Sequence, residues 1–186
     1  MTKYNPEKHH RRSIRLKGYD YAQPGSYFIT ICTWQRHCLF GEITHGQMQL
    51  NRYGRIVQKH WQNLIHYHQH IKLGEFVIMP NHIHGILTLK DVSEARKSLD
   101  IGFAPIKFEK SPKRHGIPEI IRGFKTFSAR QINTVRDTPG VPIWQRNYYE
   151  HIIRNQQAYD KIYQYIKDNP ALWEVDQLHP ECPSKW

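Results

Sequence analysis

The order in which the hydrophobic period changes along this chain constrains its fold more than any single residue does. After the Pro24-Gly25 turn, SYFITICTW is β-branched and aromatic, the composition of a strand. In CLFGEITHGQMQLN, glycines at 41 and 46 bound short alternating pieces, the pattern of a small hairpin. From the helix-capping Asn51 onward, Ile56, Val57, Trp61, Leu64 and Ile65 recur at three- and four-residue spacing, which predicts a helix with all five on its apolar face. LGEFVIMP and HIHGILTL read as two strands joined through Pro80-Asn81, the first of them central. A second helix is expected in IPEIIRGFKTFSARQINTVR, with Ile117, Ile121, Phe124, Ala129 and Ile132 inward and Arg122, Lys125, Arg130 and Arg136 basic. VPIWQRNYYEHIIR is a fourth strand candidate. NQQAYDKIYQYIKDNP is a third helix, with Ala158, Tyr159, Ile162 and Ile166 on one stripe and Pro170 at its stop. Strand, helix, strand, strand, helix, strand and a closing helix is the order of a ferredoxin-like α+β sandwich, an antiparallel sheet with helices packed on it.

A chain of 186 residues suits one such domain. We divide it into a basic arm over residues 1–20, a folded domain over 21–173 with a long surface loop at about 90–118, and a tail over 174–186. No stretch approaches the roughly 18 uninterrupted apolar residues of a membrane helix, and the charged start lacks the apolar core of a signal peptide. Cys32, Cys38 and Cys182 form no CxxC pair and no even set, so a disulfide framework is not expected. These features lead us to expect an unexported, cytoplasmic protein with no membrane partner.

Charge narrows the class of partner. The chain carries 27 Lys and Arg against 16 Asp and Glu, a formal net charge of +11. An excess of this size on one domain favours a polyanion, because each neutralised phosphate releases condensed counterions. Five Trp, eleven Tyr and seven Phe interleaved with the basic residues suit backbone tracking combined with stacking on unpaired bases.

The chemistry-bearing residues lie in two places. On a strand, residues two apart share a face, so His82 and His84 in MPNHIHGIL project side by side and can chelate one metal ion. The ordinary alternative is a partly exposed histidine pair on a sheet face. HYHQH, with His66, His68 and His70, is richer in imidazole but falls at a helix end, where only His66 and His70 can share a face. In the third helix, Tyr165 and Asn169 of YIKDNP stand one turn apart. Asn169 offers an oxygen ligand and Tyr165 a hydroxyl nucleophile; their plainer roles are a core-edge aromatic and a helix C-cap.

MPNHIHGIL, WQRNYYEHIIRN and YIKDNP, in this order, resemble the HUH single-tyrosine transposases, and specifically the REP-associated tyrosine transposases of bacteria. The likeness runs from about Tyr27 to Pro170. It implies His82, His84 and Asn169 as ligands of a divalent metal, Mg²⁺ or Mn²⁺, and Tyr165 as the nucleophile. The neighbouring Tyr148, Tyr149, Tyr159 and Tyr163 lack an Asn or Gln one helical turn later. The activity implied is cleavage and rejoining of single-stranded or hairpin DNA through a 5′-phosphotyrosine, at palindromic repeats, by a monomer or homodimer. Arg11, Arg12, Arg15, Arg122, Lys125, Arg146 and Arg154 are candidates for phosphate contacts, and Glu150 and His151 for support of the site.

Three other readings fit parts of the pattern. One is a structure-specific nucleic-acid-binding protein without catalysis. Another is a single-stranded-RNA-binding module of the same fold, which expects an aromatic-glycine consensus where this chain has MPNHIHGIL. The last is a hydrolytic zinc enzyme, which requires a further His, Cys or carboxylate ligand near the pair.

Overall fold

The computed structural model describes residue 16 and residues 18–91 and 115–181. Arg11, Arg12 and Arg15 of the basic arm, most of the 90–118 loop and Cys182 lie outside the described residues. The chain runs through β1 (Gly25–Cys32), the hairpin strands β2 (Gly41–Thr44) and β3 (Gln47–Leu50), and helices α1 (Arg52–Gln62) and α2 (Leu64–Tyr67). Strands β4 (Ile71–Ile78) and β5 (His82–Leu89), helix α3 (Ile117–Arg136), strand β6 (Tyr149–Ile153) and helix α4 (Gln156–Asp168) follow.

The main sheet has the order β4-β5-β1-β6, with every neighbouring pair antiparallel. This is the expected ferredoxin-like arrangement: the two strands connected through α1 are separated by β5, and β6 is an edge. The β2-β3 hairpin forms a separate two-stranded sheet. His45 (φ 51°) and Gly46 (φ 72°) close it in left-handed conformations, as a primed two-residue turn demands.

Strand alternation divides the sheet into two unlike faces. Ile29 and Ile31 of β1 and Ile83, Leu87 and Leu89 of β5 join the larger core with Val57 and Trp61 of α1 and Ile117, Ile121, Phe124 and Ile132 of α3. Gly85 belongs to this face because it must: a Cβ there would stand 2.4 Å from the Trp61 ring. On the other face Phe28, Ile86, Ile153 and Ile166 form a smaller cluster beneath α4, with Ala158, Tyr159 and Ile162 at its rim. Gly74 of β4 opens space there, since a Cβ would lie 2.8 Å from the Tyr159 hydroxyl.

Asn51 caps α1 as expected, its side-chain oxygen accepting from the amides of Tyr53 and Gly54. Three sequence expectations are corrected. The first helix breaks at Asn63, and the rephased turn leaves Ile65 42% exposed instead of buried. The fourth strand spans only Tyr149–Ile153; its upstream part makes a lone bridge, Trp144 to Thr33. There the buried Trp144 indole donates to Ser128 Oγ of α3, which draws this segment to the helix. The strand before the histidine pair, expected to be central, is an edge: β4 pairs with β5 alone, and its apolar look comes from cover on both faces, Phe76 by Trp61 and Gly74 by Tyr159. Helix α4 stops at Asp168, near Pro170 as expected, and Pro170 stands at the start of a 3₁₀ helix over Asn169–Val175, where a missing N–H costs nothing.

Candidate metal and nucleophile site

His82 is held by the residue before it. The Asn81 amide donates from Nδ2 to the carbonyls of Arg36 (3.2 Å) and Leu178 (2.7 Å), so its Oδ1 must face His82 Nδ1, at 2.7 Å. An amide oxygen only accepts; Nδ1 therefore carries the imidazole proton and Nε2 presents a bare lone pair. That Nε2 is buried and has no hydrogen-bond partner. Burial pulls the His82 pKa down to about 3, against a smaller upward pull from Asn169, so the ring is neutral and able to ligate.

His84 lies beside it on the same face, with ring centroids 4.5 Å apart. Its Nδ1 is 2.8 Å from Thr30 Oγ1 on β1, and its ring stacks on Phe28 at 5.2 Å. Burial, and then the adjacent His82, hold its pKa well below the ordinary histidine value.

Helix α4 brings Tyr165 to this pair. The Tyr165 hydroxyl is 3.2 Å from His84 Nε2, and its ring meets Phe28 edge-on at 6.1 Å. The side chain is 41% exposed, so the hydroxyl stands where the buried histidines meet solvent. Burial, and then the Asp176 carboxylate, push its pKa up to about 12, while Asn169 opposes them. Among the described tyrosines it is the one bonded to the histidine pair. Tyr159 sits over Gly74, Tyr163 carries Lys167 above its ring, and Tyr149 lies on the edge strand 6.4 Å from Phe28.

Asn169 keeps helical dihedrals (φ −55°, ψ −41°), which preserves its one-turn spacing from Tyr165. It is 2% exposed; Nδ2 donates to Asp176 Oδ2 at 3.0 Å, and Oδ1 is buried without a partner. Asp176 is itself buried and accepts the Leu178 amide on Oδ1 at 2.5 Å. Ligand atoms of His82, His84 and Asp176 all lie within 4.8 Å of one another, a group that can hold a metal ion. The sequence reading missed Asp176 by assigning residues 174–186 to a tail. No local spacing marks it, because the 3₁₀ helix over Asn169–Val175 and the extended Asp176 after it break the 3.6-residue phase set by Tyr165 and Asn169.

The remaining candidates are spread out. Arg122, Arg146 and Arg154 are exposed. The Lys125 ammonium donates to the carbonyls of Gln145 (2.5 Å), Arg146 (3.0 Å) and Asn147 (3.2 Å), pinning the segment before β6 to α3. His151 is exposed opposite Phe28, whereas Glu150 is paired with Ile29 and so stands on the other sheet face from the histidines. In HYHQH, His70 Nε2 donates to the His115 carbonyl at 2.9 Å, and His68 packs edge-on against both rings.

No family model matches this chain. Among solved structures, the REP-associated tyrosine transposase bound to a REP hairpin aligns with a TM-score of 0.51 at 17% identity, covering 100% of this chain and 91% of that one. The molecule therefore has the fold of a REP-associated tyrosine transposase, the fold to which its three motifs point. An uncharacterized protein of Haemophilus influenzae is 45% identical over 181 residues, covering 96% of this chain and 98% of the relative. This chain belongs to the same family as that protein.

Proposed function

We propose that the protein is a metal-dependent single-tyrosine transposase that cuts and rejoins single-stranded DNA at hairpin or palindromic repeats. One observation carries this reading: the Tyr165 hydroxyl, 3.2 Å from His84 Nε2, adjoins a pocket of donors that includes two buried atoms without partners, His82 Nε2 and Asn169 Oδ1. Two imidazole nitrogens with an amide or carboxylate oxygen make a mixed set in which the oxygen suits Mg²⁺ or Mn²⁺ and the nitrogens also admit other divalent ions, so the residues present can hold the implied ion. When bound, such an ion supplies positive charge to the scissile phosphate and to the ionising phenol.

The chain's own residues supply the rest. Phe28 and His84 fix the Tyr165 ring, and Thr30 and Asn81 fix the two imidazoles. Tyr165 Oη attacks phosphorus, an O–P bond forms, and the P–O3′ bond breaks. The departing 3′-oxygen takes up a proton as the phenol loses one, leaving a 5′-phosphotyrosine and a free 3′-hydroxyl. A second 3′-hydroxyl reverses the step and joins strands, with no nucleotide cofactor. Exposed Arg122, Arg146 and Arg154 would track the phosphates outside the site. We place this activity in the cytoplasm, in a monomer or homodimer.

The test is incubation of labelled hairpin-flanked single-stranded DNA with wild type and Tyr165→Phe, with Mn²⁺ or with chelator. Wild type forms a covalent adduct only with metal, and Tyr165→Phe forms none; an adduct with the variant would refute the nucleophile. Asp176 favours one second reading, a metal-dependent phosphodiesterase, because it is the extra carboxylate such an enzyme needs. Metal-dependent cleavage that survives in Tyr165→Phe would establish that reading instead.

A further inference from the structure

The buried carboxylate of Asp176 is the one acid in the metal-capable group, and both its oxygens are already engaged: Oδ2 by Asn169 Nδ2 and Oδ1 by the Leu178 amide. The buried atoms left without partners belong to its neighbours, His82 Nε2 and Asn169 Oδ1. We infer that Asp176 is a positioning residue: it turns the Asn169 amide so that the oxygen, and not the NH₂, is presented beside His82. A carboxylate only accepts, so it can bind only the NH₂ end of that amide, and the opposite end must face away from it. The same turn also serves the other side of the site. The Leu178 carbonyl accepts from Asn81 Nδ2, and Asn81 Oδ1 in turn fixes the His82 tautomer. Residues 176–178 thus orient an oxygen donor through Asp176 and a nitrogen donor through Asn81, with no need for either to touch the ion. The buried Trp173 packs beside this turn, its ring 6.1 Å from His82 and 4.7 Å from His179. An outer partner that fixes a ligand's orientation commonly carries 10–100-fold in metal affinity.

This inference rests on the metal reading proposed above and is tested apart from catalysis, by a double-mutant cycle on Mn²⁺ affinity. Mn²⁺ is titrated calorimetrically into wild type, Asn169→Ala, Asp176→Ala and the double variant. We expect Asp176→Ala to weaken Mn²⁺ about 10–100-fold in the wild-type background and to add almost nothing once Asn169 is alanine. Equal losses in both backgrounds would make Asp176 a ligand in its own right and overturn the inference, as would no loss in either. Wild type that takes up no Mn²⁺ would remove the metal reading and this inference together, an outcome separate from either result of the cycle. If Asp176→Ala unfolds the chain, Asp176→Leu, close to it in shape and with no acceptor for Asn169 or Leu178, carries the same cycle.

Discussion

His82 owes its usefulness to a neighbour that is not itself a donor to the site. Because Asn81 spends its NH₂ on two carbonyls, the imidazole is locked as the Nδ1–H tautomer with Nε2 inward. Replacing Asn81 with Ala is expected to weaken Mn²⁺ by about 10-fold or more while leaving the ligands in place, measurable by calorimetric titration. Protonation gives a second prediction. The folded-state pKa of His82, about 3, lies below the unfolded value near 6.5, so the folded protein binds fewer protons between them. Metal-free stability is therefore full above about pH 6.5 and falls as pH drops towards 3, by up to about 1.4 kcal/mol per pH unit for this histidine. Urea unfolding in chelator at several pH values would detect the slope, and His82→Gln should make it shallower, with the buried His84 still contributing in the same direction. At this scale the site was only partly legible. Strand alternation brought out His82 and His84, and helical spacing brought out Tyr165 with Asn169. Asp176 and the roles of Asn81 and Leu178 depend on where a turn folds back, which no local period encodes.

Between the elements, two glycines and one isoleucine set how closely the helices approach the sheet. Gly85 admits Trp61 of α1, so Gly85→Ala forces ring and strand apart and should cost about 1–3 kcal/mol in denaturant unfolding. Ile166, fully buried on the sheet side of α4 one residue after Tyr165, should cost about 2–5 kcal/mol as Ala. A loss near zero for either would mean that the packing described does not hold the helix. The order of the elements was legible because periods of two and of 3.6 residues alternate so clearly. The misread places have tertiary causes: Trp144 is drawn from the sheet by Ser128, and Asn63 rephases the helix that carries Ile65. Strand β4 misled for a different reason, since side chains packed on both faces give this edge strand the apolar look of a central one.

For the whole molecule the net charge of +11 becomes a prediction about salt. Single-stranded DNA affinity should fall linearly with the logarithm of salt concentration, with a slope of about −0.7 for each phosphate neutralised. Substituting Arg122, Arg146 or Arg154 by Ala should reduce that slope by about 0.7 for each residue that meets a phosphate, as read by fluorescence anisotropy. A slope unchanged in all three would place the strand elsewhere. None of the described helices is long and apolar enough to cross a membrane. The turn at residues 176–178 has one further consequence, in time and not in space. A chain emerging from the ribosome has its sheet, both histidines and Tyr165 before it has Asp176 or Leu178. Until that turn arrives, Asn169 lacks the carboxylate that turns its amide and Asn81 has only the Arg36 carbonyl for its NH₂, so a nascent chain is a folded sheet with an unset site. Synthesis itself would complete the site last.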